Sequence, residues 1–99
     1  MIILDEYRLK LSQLKKEITE LGDALRIEEQ KKRLAELEEL SSAPDFWNDA
    51  ERSQKILSEQ KQVKDKVDKY LRLCSMTEDC EVLIEMAMDE SDEEIEQEI

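Results

Sequence analysis

Apolar residues recur at alternating intervals of three and four, and this spacing limits the fold more than any other feature of the chain. An interval of this kind places one apolar stripe along an α-helix and predicts that the helix packs at a shallow angle against its neighbours. In the first segment the stripe consists of Leu4, Tyr7, Leu11, Leu14, Ile18, Leu21 and Leu25. Strands are not expected, because the chain lacks β-branched and aromatic runs and has one Gly and one Pro to make turns.

Two further segments carry the same kind of stripe. The second consists of Ile27, Leu34, Leu37 and Leu40. The third consists of Ile56, Gln60, Val63, Val67, Tyr70 and Cys74. Beyond this point the apolar residues change register to Leu73, Met76, Cys80, Leu83 and Ala87. A change of register marks a break or a local change of supercoiling, and Ser75 with Glu78 matches a capping box, so we expect a break there. Ser91 is a candidate cap for a final helix.

Residues 3–40 could form one bent helix or two. Gly22 and Asp23 weaken a helix, so we expect two helices that meet between Gly22 and Arg26, with Asp23 as the cap of the second. The predicted fold is all-α, an antiparallel bundle of three main helical segments with coiled-coil-like seams. We expect residues 1–99 to form a single helical domain.

The stretch Ser41 to Ile56 holds the only Pro, the only Phe and the only Trp of the chain. Pro44 disfavours helix at the residue before it and should end the preceding helix. Asn48 or Asp49 can cap the next helix. Phe46 and Trp47 are large apolar rings in a turn between helices. They could plug the open end of the bundle or contact a partner directly. We favour the plug, with Trp47 at least partly buried.

The net charge of −12 is unevenly distributed. Residues 41–77 carry seven basic and six acidic groups and are the only net positive part, whereas residues 78–99 carry eleven acidic groups and no basic one. A chain this acidic has no electrostatic reason to bind bare nucleic acid by itself. The acidic end could be solvated, which we favour, or could meet a basic protein surface. No run of apolar residues is long enough to span a membrane and no signal peptide is recognisable, so a cytoplasmic protein is expected.

Residues that carry chemistry are scarce. The chain has no His, and Cys74 and Cys80 would lie about 9 Å apart on one helix, which is too far for a disulfide. Two thiols without further ligands do not make a zinc site. With no Gly-rich phosphate loop and no nucleophile turn, we expect no cofactor, no metal and no catalytic residue. Tyr7 is expected in the core.

The turn P-D-F-W-N-D, followed by A-E-R-S-Q-K-I-L-S-E-Q, resembles the amino-terminal helical domain of bacterial peptide chain release factor 2. The resemblance covers essentially the whole chain. It implies a full-length protein more than three times as long, which reads stop codons on the ribosome and triggers hydrolysis of peptidyl-tRNA. In that family an S-P-F tripeptide and a G-G-Q loop carry these two steps, and neither occurs in this sequence. The resemblance therefore implies a non-enzymatic fragment that reads no codon.

The partner that the resemblance implies is the ribosome, contacted near the base of the ribosomal stalk. The candidate ribosome-facing residues lie in the net positive segment and are Lys55, Lys61, Lys64, Lys66 and Lys69. The alternative is a free-standing coiled-coil adaptor or chaperone-like interaction module. An adaptor of that kind predicts stable self-association, whereas the release factor domain predicts a mostly monomeric bundle.

Overall fold

The computed structural model describes the backbone of residues 2–98 and the side chains of residues 2–94. Its elements are α1 (Ile2–Ala24), α2 (Ile27–Ser41), a short 3-10 helix (Phe46–Asn48) and α3 (Ala50–Glu98). No strand occurs between residues 2 and 98. The all-α prediction, with three main helical segments that pack against one another, is confirmed.

Helices α1 and α2 are separated by a two-residue turn at Leu25 and Arg26, so the prediction of two helices is confirmed. Arg26 adopts the left-handed conformation, with φ 53° and ψ 50°, and its backbone N–H donates to the carbonyl of Asp23 over 3.1 Å. The prediction that Asp23 caps α2 is wrong. Arg26 holds the cap position, and no side chain there accepts a hydrogen bond from the helix. The left-handed residue, rather than a capping side chain, redirects the backbone.

Gly22 lies inside α1 and does not break it. It is buried, and a Cβ atom at this position would lie 2.8 Å from Cζ of Tyr70 in α3. Real Cβ contacts are essentially never that short, so the missing side chain is what lets the ring of Tyr70 approach the backbone of α1. The glycine serves close packing between helices and not a bend.

Helix α3 is continuous over 49 residues, and both breaks predicted within it are wrong. Its seam keeps one register throughout, in steps of three and four. The buried or half-buried residues of that register are Ser53, Ile56, Gln60, Val63, Val67, Tyr70, Cys74, Thr77, Glu81, Ile84, Met88 and Ser91. The predicted second register is also wrong, because Leu73, Met76, Cys80 and Leu83 are exposed and Ala87 is half-buried.

Thr77 and Glu81 are two of the polar residues that occupy the seam of α3. The hydroxyl of Thr77 donates to the carbonyl of Leu73 over 2.8 Å, and Glu81 pairs with Lys15 of α1 over 2.8 Å. Both side chains therefore keep a polar partner at an inward position, which lowers the cost of placing them there.

The contacts group the chain into two compact units, one of Met1–Leu21 with Arg72–Ile99 and one of Gly22–Leu71. We call them unit 1 and unit 2. In unit 2, Leu37, Val63 and Val67 form the core, with Leu34 and Ile56 packed against it. In unit 1, Ile18 and Thr77 are buried, and the predicted core residue Tyr7 is 54% exposed, so that prediction is wrong. Among the described residues no helix is long and apolar enough to cross a membrane.

Candidate functional site

The turn between α2 and α3 is closed by hydrogen bonds at its α2 end. Helix α2 stops at Ser41, three residues before Pro44, as the proline predicts. The N–H of Ser42 donates to the carbonyls of Glu38 and Glu39, and the hydroxyls of Ser41 and Ser42 both donate to the carbonyl of Glu38. These bonds satisfy carbonyl groups that the end of a helix otherwise leaves without a partner.

At the α3 end, Asp49 and Ser53 fix the turn. The carboxylate Oδ1 of Asp49 accepts the N–H of Arg52 over 3.1 Å, so the predicted cap is confirmed at Asp49. Ser53 is 1% exposed, and its hydroxyl lies within hydrogen-bonding distance of the carbonyls of Phe46 and Asp49. Ser53 therefore ties the 3-10 helix to the first turn of α3. In the sequence, Ser53 lies three residues before Ile56 and so continues the three-and-four spacing. This position indicates that its side chain faces inward.

The two aromatic residues of the turn have opposite environments. Phe46 is 2% exposed, whereas Trp47 is 70% exposed. Their rings meet edge to face with centroids 4.9 Å apart. The prediction that Trp47 is at least partly buried as a plug is wrong, although Phe46 fills that role. In a 3-10 helix consecutive side chains point about 120° apart, so the two rings cannot both enter the core.

The five candidate lysines of α3 are all exposed. A helix turns about 100° per residue, so Lys61 and Lys64 lie on one side of the stripe formed by Val63 and Val67. On the other side of that stripe lie Lys55, Lys66 and Lys69. The structure thus brings the lysines together as two groups and not as one basic face. Lys55 also pairs with Glu51 over 3.7 Å.

A bidentate ion pair joins α2 to α3 beside these lysines. Nε and Nη2 of Arg33 donate to the carboxylate of Glu59 over 2.6 and 2.8 Å, and Nη1 donates to Glu36 over 3.1 Å. The hydrogen bonds to Glu59 and Glu36 raise the pKa of Arg33, and the bonds from Arg33 lower the pKa of Glu59. The paired, planar geometry sets the position of α2 along α3. Sequence reasoning missed this pair, because residues 26 positions apart carry no local signal.

The described side chains include no group of three or more His, Cys, Asp and Glu placed to hold a metal ion. Cys74 is half-buried and Cys80 is exposed, and both are free thiols. The exposed surface of unit 2 presents charged side chains and the ring of Trp47.

Comparisons with protein families and with curated proteins both identify relatives of this chain. The PCRF domain family matches residues 30–99. This chain belongs to the PCRF domain family. Peptide chain release factor 2 of Clostridium perfringens strain SM101 is 40% identical over 96 residues, which is 97% of this chain and 26% of that protein. The factor of the same name from an Exiguobacterium species is 34% identical over the same shares of the two chains.

A third relative, peptide chain release factor 2 of Nautilia profundicola, is 35% identical over 89 residues, covering 90% of this PCRF chain and 24% of the relative. The chain thus spans about a quarter of the length of these curated relatives. No solved structure matches the chain significantly. The resemblance to release factor 2 drawn from the P-D-F-W-N-D turn is confirmed.

Proposed function

We propose that this PCRF chain is a non-catalytic, ribosome-contacting domain of a class I peptide chain release factor that acts in stop-codon-dependent translation termination. The observation that carries the proposal is the family match over residues 30–99, with relatives named release factor 2 along nearly the whole chain. In this proposal residues 1–99 are one domain of a longer cytoplasmic factor, and the remainder of that factor reads the codon and promotes hydrolysis.

A non-catalytic role is supported by the chemistry of the chain itself. The sequence contains one Gly and therefore no G-G-Q, and it contains no His. Hydrolysis of an ester needs a positioned water and donors for the developing oxyanion, which in proteins come from a shaped, water-excluding site. The described part of the chain presents long helices with charged, solvated surfaces instead.

The proposed ribosome contact uses the lysines of α3 near the base of the ribosomal stalk. Support comes from their exposure and from the charge of residues 41–77, which are the only net positive part of the chain. The lysines form two groups on opposite sides of α3, so two hypotheses can be tested separately. In one, Lys61 and Lys64 contact the ribosome, and in the other Lys66 and Lys69 do.

Sedimentation of the 99-residue chain with purified 70S ribosomes tests the contact. We expect Lys61→Glu with Lys64→Glu, or Lys66→Glu with Lys69→Glu, to lower the affinity for the ribosome by about tenfold, which corresponds to roughly 1.4 kcal/mol. Lys31→Glu with Lys32→Glu is the matched control, because it changes the charge equally on the exposed surface of α2. Equal losses in all three variants would show a response to net charge alone and would exclude a specific lysine contact.

Peptide release by the same chain tests the non-catalytic role. Purified chain added to ribosomes that carry peptidyl-tRNA at a stop codon should release no peptide above the rate without factor. Codon-dependent release by the chain would overturn the proposal. A chain that sediments with ribosomes and releases nothing supports both parts of it.

A further inference from the structure

The inward-facing residues of α1 and α2 are out of phase with each other across the turn at Leu25 and Arg26. Within each helix the buried and half-buried positions are separated by three, four or seven residues. The last of them in α1 is Gly22 and the first in α2 is Ile27, five residues further on. On one continuous helix these two would point about 140° apart. A continuous helix could therefore not bury both on one face, and the turn at Leu25 and Arg26 makes up the difference.

The conformation of this turn is strained. Arg26 is the only residue with a positive φ in the described part of the chain. The left-handed conformation is unfavourable for a residue that has a Cβ atom, because that atom crowds the following carbonyl oxygen. No side chain caps the start of α2, and the guanidinium of Arg26 reaches only Glu29, over 3.8 Å at the surface. Arg26 therefore holds its conformation only while the surrounding helices impose it.

The two units differ in how much apolar side chain they bury. In unit 2, Leu37, Phe46 and Val67 are at most 4% exposed. In unit 1, the buried residues among those described are Ile18, at 8%, and Thr77, at 7%. A region with few buried apolar contacts opens at a lower cost in free energy than the rest of a protein. In the 99-residue chain, unit 1 should therefore open before unit 2.

The ion pairs between α1 and α3 in unit 1 are exposed. Nζ of Lys15 lies 2.8 Å from the carboxylate of Glu81, and Nη2 of Arg8 lies 3.7 Å from that of Glu85. All four side chains are more than 40% exposed. Ion pairs in such positions contribute little to stability, because water and salt screen them. These pairs therefore offer little resistance to the separation of α1 from α3.

We propose that Leu25 and Arg26 form a hinge at which α1 detaches from α3 while α2 and residues 50–71 of α3 stay folded. Detachment releases the strained conformation of Arg26 and exposes the inward positions of α1, Leu11 and Ile18 among them. The five candidate lysines lie within residues 50–71, so the surface that carries them keeps its structure when α1 opens. This inference goes beyond the ribosome contact and does not rest on it, since the opening is a property of the chain without a partner.

Hydrogen exchange of the 99-residue chain, followed by mass spectrometry of its peptides, tests the hinge. The protection factor of a segment compares its exchange rate with that of an unstructured chain. We expect residues 8–20 of α1 to have protection factors at least about tenfold lower than residues 30–40 of α2 and residues 56–68 of α3. Equal protection in the three segments would show that the chain opens only as a whole, which overturns the proposal.

Two variants at Arg26 test whether the turn is released when α1 opens. Arg26→Gly allows the left-handed conformation without the Cβ contact, so the closed state gains stability. We expect the protection factors of residues 8–20 to rise by about fivefold. Arg26→Ala is the matched control, because it removes the ion pair with Glu29 but keeps the Cβ atom, and it should change them by less than about twofold. Unchanged protection of residues 8–20 in Arg26→Gly would mean that α1 opens without releasing the turn, and no hinge would exist there.

A variant in the core of unit 2 tests whether that unit stays folded. Leu37→Val removes one buried methylene group and should lower the protection factors of residues 30–40 by about fivefold. Residues 8–20 should keep theirs within about twofold, because the core around Leu37 is intact in both the closed and the open state. An equal loss in both segments would show that unit 2 unfolds together with α1 and would overturn the proposal. Circular dichroism checks that each variant is folded, and none of these outcomes alters the ribosome binding results.

Discussion

At the scale of single residues, Phe46 and Trp47 show how neighbouring aromatic side chains take different roles. Phe46 is buried beneath the turn, whereas Trp47 projects from it. Ser53 and Asp49 hold the turn in place from the first residues of α3. The turn therefore presents one exposed ring on a fixed support. The exposure of Trp47 supports direct contact with a partner over burial as a plug.

Alanine substitutions of the two rings should have unequal effects on stability. We expect Phe46→Ala to lower the free energy of unfolding by about 3–5 kcal/mol, the range for removing a large core aromatic. Trp47→Ala should change it by less than about 0.5 kcal/mol, as for surface residues. Urea unfolding followed by circular dichroism measures both. Similar losses from the two variants would contradict the positions described for the rings.

At the scale of elements, the continuity of α3 explains most of the differences between prediction and structure. The apolar residues Leu73, Met76, Cys80 and Leu83 suggested a new register after Cys74. The helix instead keeps its spacing through Thr77 and Glu81, because the backbone turns by a constant angle whatever side chains it carries. Glu81 of this register pairs with Lys15 of α1, a partner that sequence spacing within α3 does not reveal.

A proline substitution distinguishes a continuous helix from a broken one. If Ser75 capped a new helix, Met76 would be its first residue, where proline is tolerated. In the continuous helix, Met76→Pro removes a hydrogen bond and clashes with the preceding turn, so we expect a loss of about 3 kcal/mol or more. Chemical denaturation gives the value, and Met76→Ala is the control for loss of the side chain. A cost below about 1 kcal/mol would point to a break.

The ion pair of Arg33 with Glu59 should make stability depend on pH. Hydrogen bonds from Arg33 lower the pKa of Glu59 in the folded chain. Its contribution is therefore fully present above the unfolded-state pKa, about 4.3, and is lost as the pH falls through the lower folded-state pKa. We expect the difference in melting temperature between the natural chain and Glu59→Gln to be largest near neutral pH and to shrink below about pH 4.

Comparison with the natural chain removes the effect of the many other carboxylates, which protonate in the same range. Glu78→Gln is the control, since Glu78 is exposed and forms no ion pair among the described side chains. A difference between the natural chain and Glu59→Gln that stays constant down to pH 3 would show that Arg33 does not stabilise the ionised carboxylate.

At the scale of the whole molecule, the separation along the chain of the interacting residues explains which features the sequence predicted and which it missed. The helical class, the junction at Leu25 and Arg26, and the cap at Asp49 depend on residues close together in the chain, and all were predictable. The family was also predictable, because the P-D-F-W-N-D turn is a contiguous motif. The exposure of Trp47 and the pairing of Arg33 with Glu59 depend on packing between helices, which spacing alone does not determine.

Net charge should set how the stability of the molecule responds to salt. The chain carries −12, and nine of its carboxylates lie between Glu78 and Glu94 without a basic residue among them. Raising NaCl from about 0.01 M to about 1 M shortens the screening length from about 30 Å to about 3 Å and reduces this repulsion. Screening also weakens the attraction within the exposed ion pairs. That loss of stabilisation is smaller than the gain from reduced repulsion, since each pair contributes only about 0–1 kcal/mol. We therefore expect the melting temperature to rise with salt.

The double variant Glu90→Lys with Glu93→Lys, which replaces two negative charges by two positive ones at exposed positions, should show a smaller rise. Thermal melts followed at 222 nm at several salt concentrations measure both proteins. A melting temperature that falls with salt in the natural chain would mean that attraction between the helices outweighs repulsion along α3.

The exposure of Trp47 also has an optical consequence. It is the only tryptophan among 99 residues, and 70% of its surface already meets water in the folded chain. Intrinsic fluorescence should therefore change little when the helices melt, so a flat emission signal would be no sign of a stable protein. The same property makes the indole an unlabelled reporter for the turn. A blue shift in the emission of this chain on mixing with a partner that lacks tryptophan would show that the partner covers residues 46–49.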